Sequence, residues 1–149
     1  MKQRIMSVLI VLCLVLGIIL PVFAEGVRAL SNRDDAKWLC DMFMINMTEL
    51  DPRDAFGLLR PYSAVPEEEF EQLLVQSDTL IEKVKPDYGE LVGYTLVQEK
   101  HVKNVVLQYT YLLRFEKHAL RWRFFFYRPD KEWVFNEFKV DNKLTELFD

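Results

Sequence analysis

The chain has 149 residues, half of them hydrophobic, and a formal net charge of −4 at pH 7. An acidic chain of this size has no overall electrostatic reason to seek nucleic acid or an anionic membrane. Its two cysteines, Cys13 and Cys40, are too few for a disulfide framework.

Lys2 and Arg4 precede an apolar run from Ile5 to Leu20, broken only by Ser7 and Gly17; Pro21 to Ala24 then place small or tolerated residues before Glu25. This reads as a secretory signal peptide over residues 1–24, cleaved after Ala24. An uncleaved membrane anchor is the alternative, but the run is short against the roughly 20 residues a span needs. Cys13 follows Leu12, where a lipid-attachment site wants a small residue. Cleavage leaves one domain, residues 25–149, with 17 basic and 23 acidic side chains, a net charge of −6, and Cys40 as its single cysteine. Cys40 is then expected as a small buried apolar residue. The expected destination is the periplasm or exterior of a bacterium, with membrane contact only through an uncleaved leader.

Ser31 to Leu50 predicts a first helix, capped by Ser31 or Asn32 and with Asp34 and Asp35 in its first turn. Its apolar set is broad (Trp38, Leu39, Cys40, Met42, Phe43, Ile45, Met47, Leu50), and its polar stripe, Asp34, Lys37, Asp41 and Thr48, is narrow. Such a helix should be covered on most sides. Asp51-Pro52 starts a short second helix that ends at Pro61. A third helix begins near Pro66, with Glu67, Glu68 and Glu69 in its first turn. Phe70, Leu73, Leu74, Ser77, Leu80, Ile81 and Val84 follow at spacings of three and four. Pro86 to Gly89 is the expected stop.

Four strands follow, over about Leu91–Glu99, Val105–Glu116, Leu120–Arg128 and Trp133–Asp141. The second and third alternate strictly, as long antiparallel strands with one buried face do. Gly93 suggests a bend or bulge. His101 to Asn104 are expected to turn the chain, and Lys117-His118 to form a tight hairpin. Phe115 opposite Leu120 would align Leu113 with Trp122, Tyr111 with Phe124 and Tyr109 with Phe126 on one face. Phe126 should oppose Phe135. The apolar phase of the last strand then slips by one, which predicts a bulge near Asn136 and Glu137. The fold class is α+β: N-terminal helices packed on a curved antiparallel four-stranded sheet.

Leu120-Arg121-Trp122-Arg123-Phe124-Phe125-Phe126-Tyr127, the exposed Trp-led last strand from Trp133-Val134-Phe135, and the ending Asp141 to Phe148 resemble the nuclear transport factor two-like (cystatin-like) superfamily, particularly its small secreted bacterial domains. The resemblance covers about residues 31–148 and is one of pattern. It implies a cystatin-like cone: a sheet wrapped around a helix, enclosing a hydrophobic pocket. Its members include isomerases, dehydratases, ligand binders and interaction modules, so the fold does not decide function. One departure is the lack of a clear strand between the second and third helices, where only Leu58 to Val65 is available and Pro61 interrupts. A smaller or more open pocket follows.

Catalytic members of that superfamily aim a His, Asp or Tyr into the pocket. Here the expected inward positions are Tyr109, Tyr111, Trp122, Phe124, Phe126 and Phe135, with no carboxylate or imidazole among them. His101 and His118 fall in turns, where a general acid or base has neither reach nor burial. No spacing suggests a zinc site or a phosphate loop, and Glu137 with Asp141 is a weak cation site. No catalytic residue, metal or cofactor is expected. Asn46-Met47-Thr48 matches a glycosylation sequon but lies mid-helix beside core residues. The ligand-pocket candidates are Tyr109, Tyr111, Trp122, Phe124 and Phe126, with Met42 and Phe43 as the helix wall; a small apolar ligand is the expected guest. The outer sheet face collects the interface candidates Arg114, Arg121, Arg123, Phe125 and Tyr127, and mixtures of Arg and aromatic residues suit protein interfaces. Superfamily members often dimerise through this face. The expected role is an exported, non-catalytic binding or interaction module of the cell envelope, self-associating or binding an envelope protein. The alternative is a small-ligand binder, isomerase or lyase using the cone.

Overall fold

The computed structural model describes residues 26–49, 51–77 and 79–149; the expected signal peptide and its cleavage point lie outside them. Among the described residues no helix is long and apolar enough to cross a membrane.

Helix α1, Arg33–Glu49, starts where expected. Asn32 Oδ1 accepts from the amide of Asp35 at 2.9 Å, satisfying one of the free N–H groups of a helix start. Ala36, Leu39, Cys40, Phe43, Met44 and Met47 are buried, a stripe at spacings of three and four. The helix is less enclosed than its composition suggests. Trp38 lies opposite that stripe and is 55% exposed. Asn46 is buried and donates Nδ2 to the Met42 carbonyl at 2.7 Å, so the sequon side chain is committed to its own helix.

Helix α2, Pro52–Leu59, begins with Asp51 Oδ1 accepting from the Arg53 amide at 2.9 Å and with Pro52 in the first turn. Ala55, Phe56 and Leu59 turn inward. A 3-10 turn, Arg60–Tyr62, carries the chain through Pro61 to Ser63, which makes an isolated parallel bridge to Phe135. The stretch between α2 and α3, expected to lack a clear strand, holds this isolated bridge.

The expected third helix is two helices, α3 over Glu67–Ser77 and α4 over Leu80–Tyr88. Thr79 marks the break: its hydroxyl donates to the Gln76 carbonyl at 3.2 Å, the local competition that makes such residues poor in helix interiors. Pro86 does not stop α4, which continues to Tyr88. A proline near a helix end removes one amide from the last turn. The stop is Gly89, at φ +83°, whose amide reaches the Lys85 carbonyl at 2.9 Å. A Cβ at Gly89 would also run into the Glu116 side chain.

Strands β1 (Leu91–Val102), β2 (Val106–Phe115), β3 (Ala119–Tyr127) and β4 (Val134–Asp141) form one open, curved antiparallel sheet in sequence order. The α+β class is as expected. β1 runs three residues further than predicted, so His101 is an exposed strand residue opposite Leu107. Gly93 sits at a register irregularity with φ +144°, and a second irregularity falls between Leu96 and Gln98.

The β2–β3 register differs from the prediction by two residues. Leu113 faces Leu120, Tyr111 faces Trp122 and Tyr109 faces Phe124. An even shift leaves every side chain on its expected face. The turn moves back by one residue, to Glu116 and Lys117, whose amides are engaged elsewhere. Lys117 N–H bonds the Tyr88 carbonyl at 2.9 Å and Glu116 N–H the Glu90 carbonyl at 3.1 Å. His118 is consequently packed, its ring stacked on Tyr88 at 4.6 Å and its Nδ1 accepting from the Ala119 amide. In the last hairpin Phe126 opposes Phe135, and the register shifts between Phe125 and Phe126, which leaves Asn136 as the bulged residue. Trp133 precedes β4 and is 2% exposed, not solvent-facing. Its backbone pairs with Leu30, and the Arg33 and Arg128 guanidinium groups lie 5.9 and 5.8 Å from its ring.

Candidate functional site

The helices cover one face of the sheet, and the residues predicted to point inward meet there. Tyr109, Tyr111, Trp122, Phe124, Phe126 and Phe43 are all buried; Met42 is only half-buried, on the flank of α1. Phe43 of α1 is the hub, 5.1 Å from the Phe56 and Trp122 rings and 5.2 Å from Phe124. Tyr111 meets Phe124 edge-on at 5.9 Å, and Tyr109 meets Phe126 at 6.2 Å. Tilted and edge-to-face rings at these distances make a close-packed core.

Both inward tyrosines end on α1. Tyr109 donates its hydroxyl to the Arg33 carbonyl at 3.0 Å, and Tyr111 donates to Asp41 Oδ1 at 2.7 Å. Burial, followed for Tyr111 by the hydrogen bond to Asp41, holds both phenols far above their ordinary range. Each is thus a neutral donor. Asp41 belongs to the narrow polar stripe of α1, and the sequence did not mark it as a partner of Tyr111. Its second oxygen takes Lys37 Nζ at 2.5 Å. An acid on the rim of a helix stripe, four residues after a lysine, was the available signal. Cys40 is fully buried, and burial pushes its thiol up, away from thiolate chemistry.

On the outer face, the three arginines expected as interface candidates are not equivalent. Arg121 is 3% exposed. It forms a fork on Asp141, Nε to Oδ1 and Nη2 to Oδ2 at 2.9 Å each, and also donates to Glu146 at 2.5 Å. Arg123 donates to the same Asp141 at 2.6 Å. These bonds fold the C-terminal 3-10 turn, Leu144–Leu147, back on the sheet end. Burial alone would raise the Asp141 pKa, but the bonds from Arg121 and from the Lys143 amide and the two nearby guanidinium charges outweigh it and hold it at about 2. Asp141 is therefore the anchor of an internal network. Arg114 remains exposed at the start of the hairpin.

The other end of the outer face is different. Val102 pairs with Val106, Val106 with Tyr127, and Tyr127 with Val134. One apolar row therefore crosses all four strands. Val102 is 67% exposed and Tyr127 44%. The next row on this face is Lys100, Gln108, Phe125 and Glu137, with Lys139 Nζ 5.5 Å from the Phe125 ring. Lys100, Val102, Val106, Gln108 and Phe125, with Glu99 and His101 at the edge, line a shallow hollow of about 490 Å³. Alternation placed Phe125, Tyr127 and Val134 on the outer face; Val102 and Val106 join them in a row only once the registers are known.

No protein-family model, curated protein or solved structure matches this chain.

Proposed function

We propose that this is an exported, cystatin-like interaction module that pairs with a second copy of itself through the outer sheet face. The observation that carries the reading is the row Val102–Val106–Tyr127–Val134, apolar across all four strands on the face that bears no helix. An antiparallel sheet with one face in water normally alternates to polar residues there. The neighbouring row supplies charge complementarity. It begins with Lys100 and ends with Glu137, with Phe125 between. A two-fold axis along the strands lays this row on its reversed copy, so that Lys100 faces the partner copy's Glu137 and the apolar row meets itself. Such a contact is isologous and closed, and face-to-face sheet packing of this kind is common. The buried, neutral tyrosines and thiol favour a binding role over acid–base or nucleophilic chemistry.

Light scattering and sedimentation at micromolar concentration test the pairing. The unaltered chain is expected to have twice its monomer mass, and Val102→Asp with Tyr127→Asp to have the single mass with an unchanged circular dichroism spectrum. A monomeric unaltered chain refutes self-association. Export is tested separately, by whether residues 1–24 direct a reporter out of the bacterial cytoplasm and are removed after Ala24.

A further inference from the structure

A second recess lies on the opposite, helix-covered side. It has a volume of about 230 Å³ and sits between Phe56 of α2, Leu73 of α3, Leu80 of α4, and Phe138 and Val140 of β4, with Trp122 in its wall. Trp122 is 1% exposed, and its indole Nε1, a donor, is buried without a hydrogen-bond acceptor. Such orphaned donors are rare in folded proteins. The ring has little freedom to turn toward another acceptor. It is stacked on Phe124 at 6.3 Å and on Phe138 at 5.7 Å, and Phe56 meets it at 6.2 Å.

The cover of this recess is the loosest part of the helical layer. Among the described residues of α3 and α4, Phe70 is the only fully buried side chain. The pair otherwise rests on half-buried Leu74, Leu80, Ile81, Val84 and Tyr88. Segments with few buried apolar contacts open at low free energy.

We propose that a small, uncharged, largely apolar molecule carrying one hydrogen-bond acceptor binds under the α3–α4 pair, and that Trp122 Nε1–H is the donor that orients it. The guest reaches the N–H by displacing side chains of the pair. Among the described residues the lining side chains carry no charge, and Gln76 is the only other polar one, so an ion finds no counter-charge among them. A cavity of about 150 Å³ holds benzene, so this one suits a single ring with a short carbonyl or ether substituent. The site stands apart from the outer-face pairing and does not depend on it.

The test uses the ¹⁵N-labelled full chain, whose indole N–H signals belong to Trp38, Trp122 and Trp133 and are assigned with Trp38→Phe and Trp122→Phe. It is titrated with acetophenone and with α-methylstyrene, which has the same shape but a CH₂ in place of the carbonyl oxygen. Acetophenone is expected to move the Trp122 signal saturably and to bind about tenfold tighter than α-methylstyrene, the effect of one buried hydrogen bond. Leu73→Trp, which fills the recess, should abolish the shift; if that variant fails to fold, Gln76→Phe at the exposed rim serves instead. A Trp122 signal unmoved up to the solubility limit overturns the proposal. So do equal affinities for the two probes, or a water cross-peak on the indole N–H that acetophenone does not displace.

Discussion

The two faces of this sheet are made by the same strands, yet they hold their aromatic and polar residues under opposite conditions. On the inner face the large rings of β2 and β3 are buried under the helices, and the hydroxyls of Tyr109 and Tyr111 are tied to α1 at Arg33 and Asp41. On the outer face one end is closed by charge, with Arg121 and Arg123 sharing Asp141 beneath the C-terminal turn. The other end is open and apolar. Rings on the inner face hold the fold together. At the open end of the outer face Phe125 is half-buried and Tyr127 is exposed. Burial decides the role, since Phe124 and Phe125 are chemically identical neighbours.

That contrast can be broken most directly by truncation. Phe124→Ala should destabilise the protein by about 3–5 kcal/mol, the cost of a buried aromatic and the cavity it leaves, read from urea unfolding. A loss comparable to that of a surface change would mean the inner face is not the core. Arg121→Leu should cost about 1–3 kcal/mol, because it removes the forked bonds to Asp141 and leaves that carboxylate to Arg123 and the Lys143 amide; the same unfolding curves report it, and an equal loss for the exposed Arg114→Leu would remove the distinction between the buried and the exposed arginine.

The Asp141 network also predicts a pH dependence. The folded carboxyl is more acidic than its ordinary value, at about 2 against 3.8. Its stabilisation is complete above 3.8 and is lost as the pH falls toward 2. The contribution at neutral pH is about 2 kcal/mol. Unfolding of the unaltered chain and of Asp141→Asn should therefore differ at pH 7 and converge near pH 2. A gap independent of pH would show that the carboxylate charge is not what matters. Tyr111→Phe should cost about 1 kcal/mol by removing the bond to Asp41. The smallest effect is expected at Tyr127→Ala, within about 0.5 kcal/mol, even though this change should weaken pairing. A large loss of stability there would place the outer row in the fold rather than at an interface.

Sequence alone determined the inner and outer sets of β2 and β3, a bulge near Asn136 and Glu137, a cap of α1 at Ser31 or Asn32 and of α2 at Asp51, and the burial of Cys40. These follow from local periodicity and from side chains that bond the nearest backbone. The exact pairing of β2 with β3 did not, because a shift of two residues keeps the same pattern of faces, and the amides that chose between the registers are satisfied by Tyr88 and Glu90 across the fold. The division of the third helix at Thr79 and the run of α4 through Pro86 depend on how nearby side chains and Gly89 complete the turns. Only the tertiary structure turned Arg121 from a surface cation into a buried one, seated Trp133 against Leu30, and aligned Val102, Val106, Tyr127 and Val134 in a row. Each of these joins residues far apart in the chain, and no local pattern encodes which distant group will meet a given side chain.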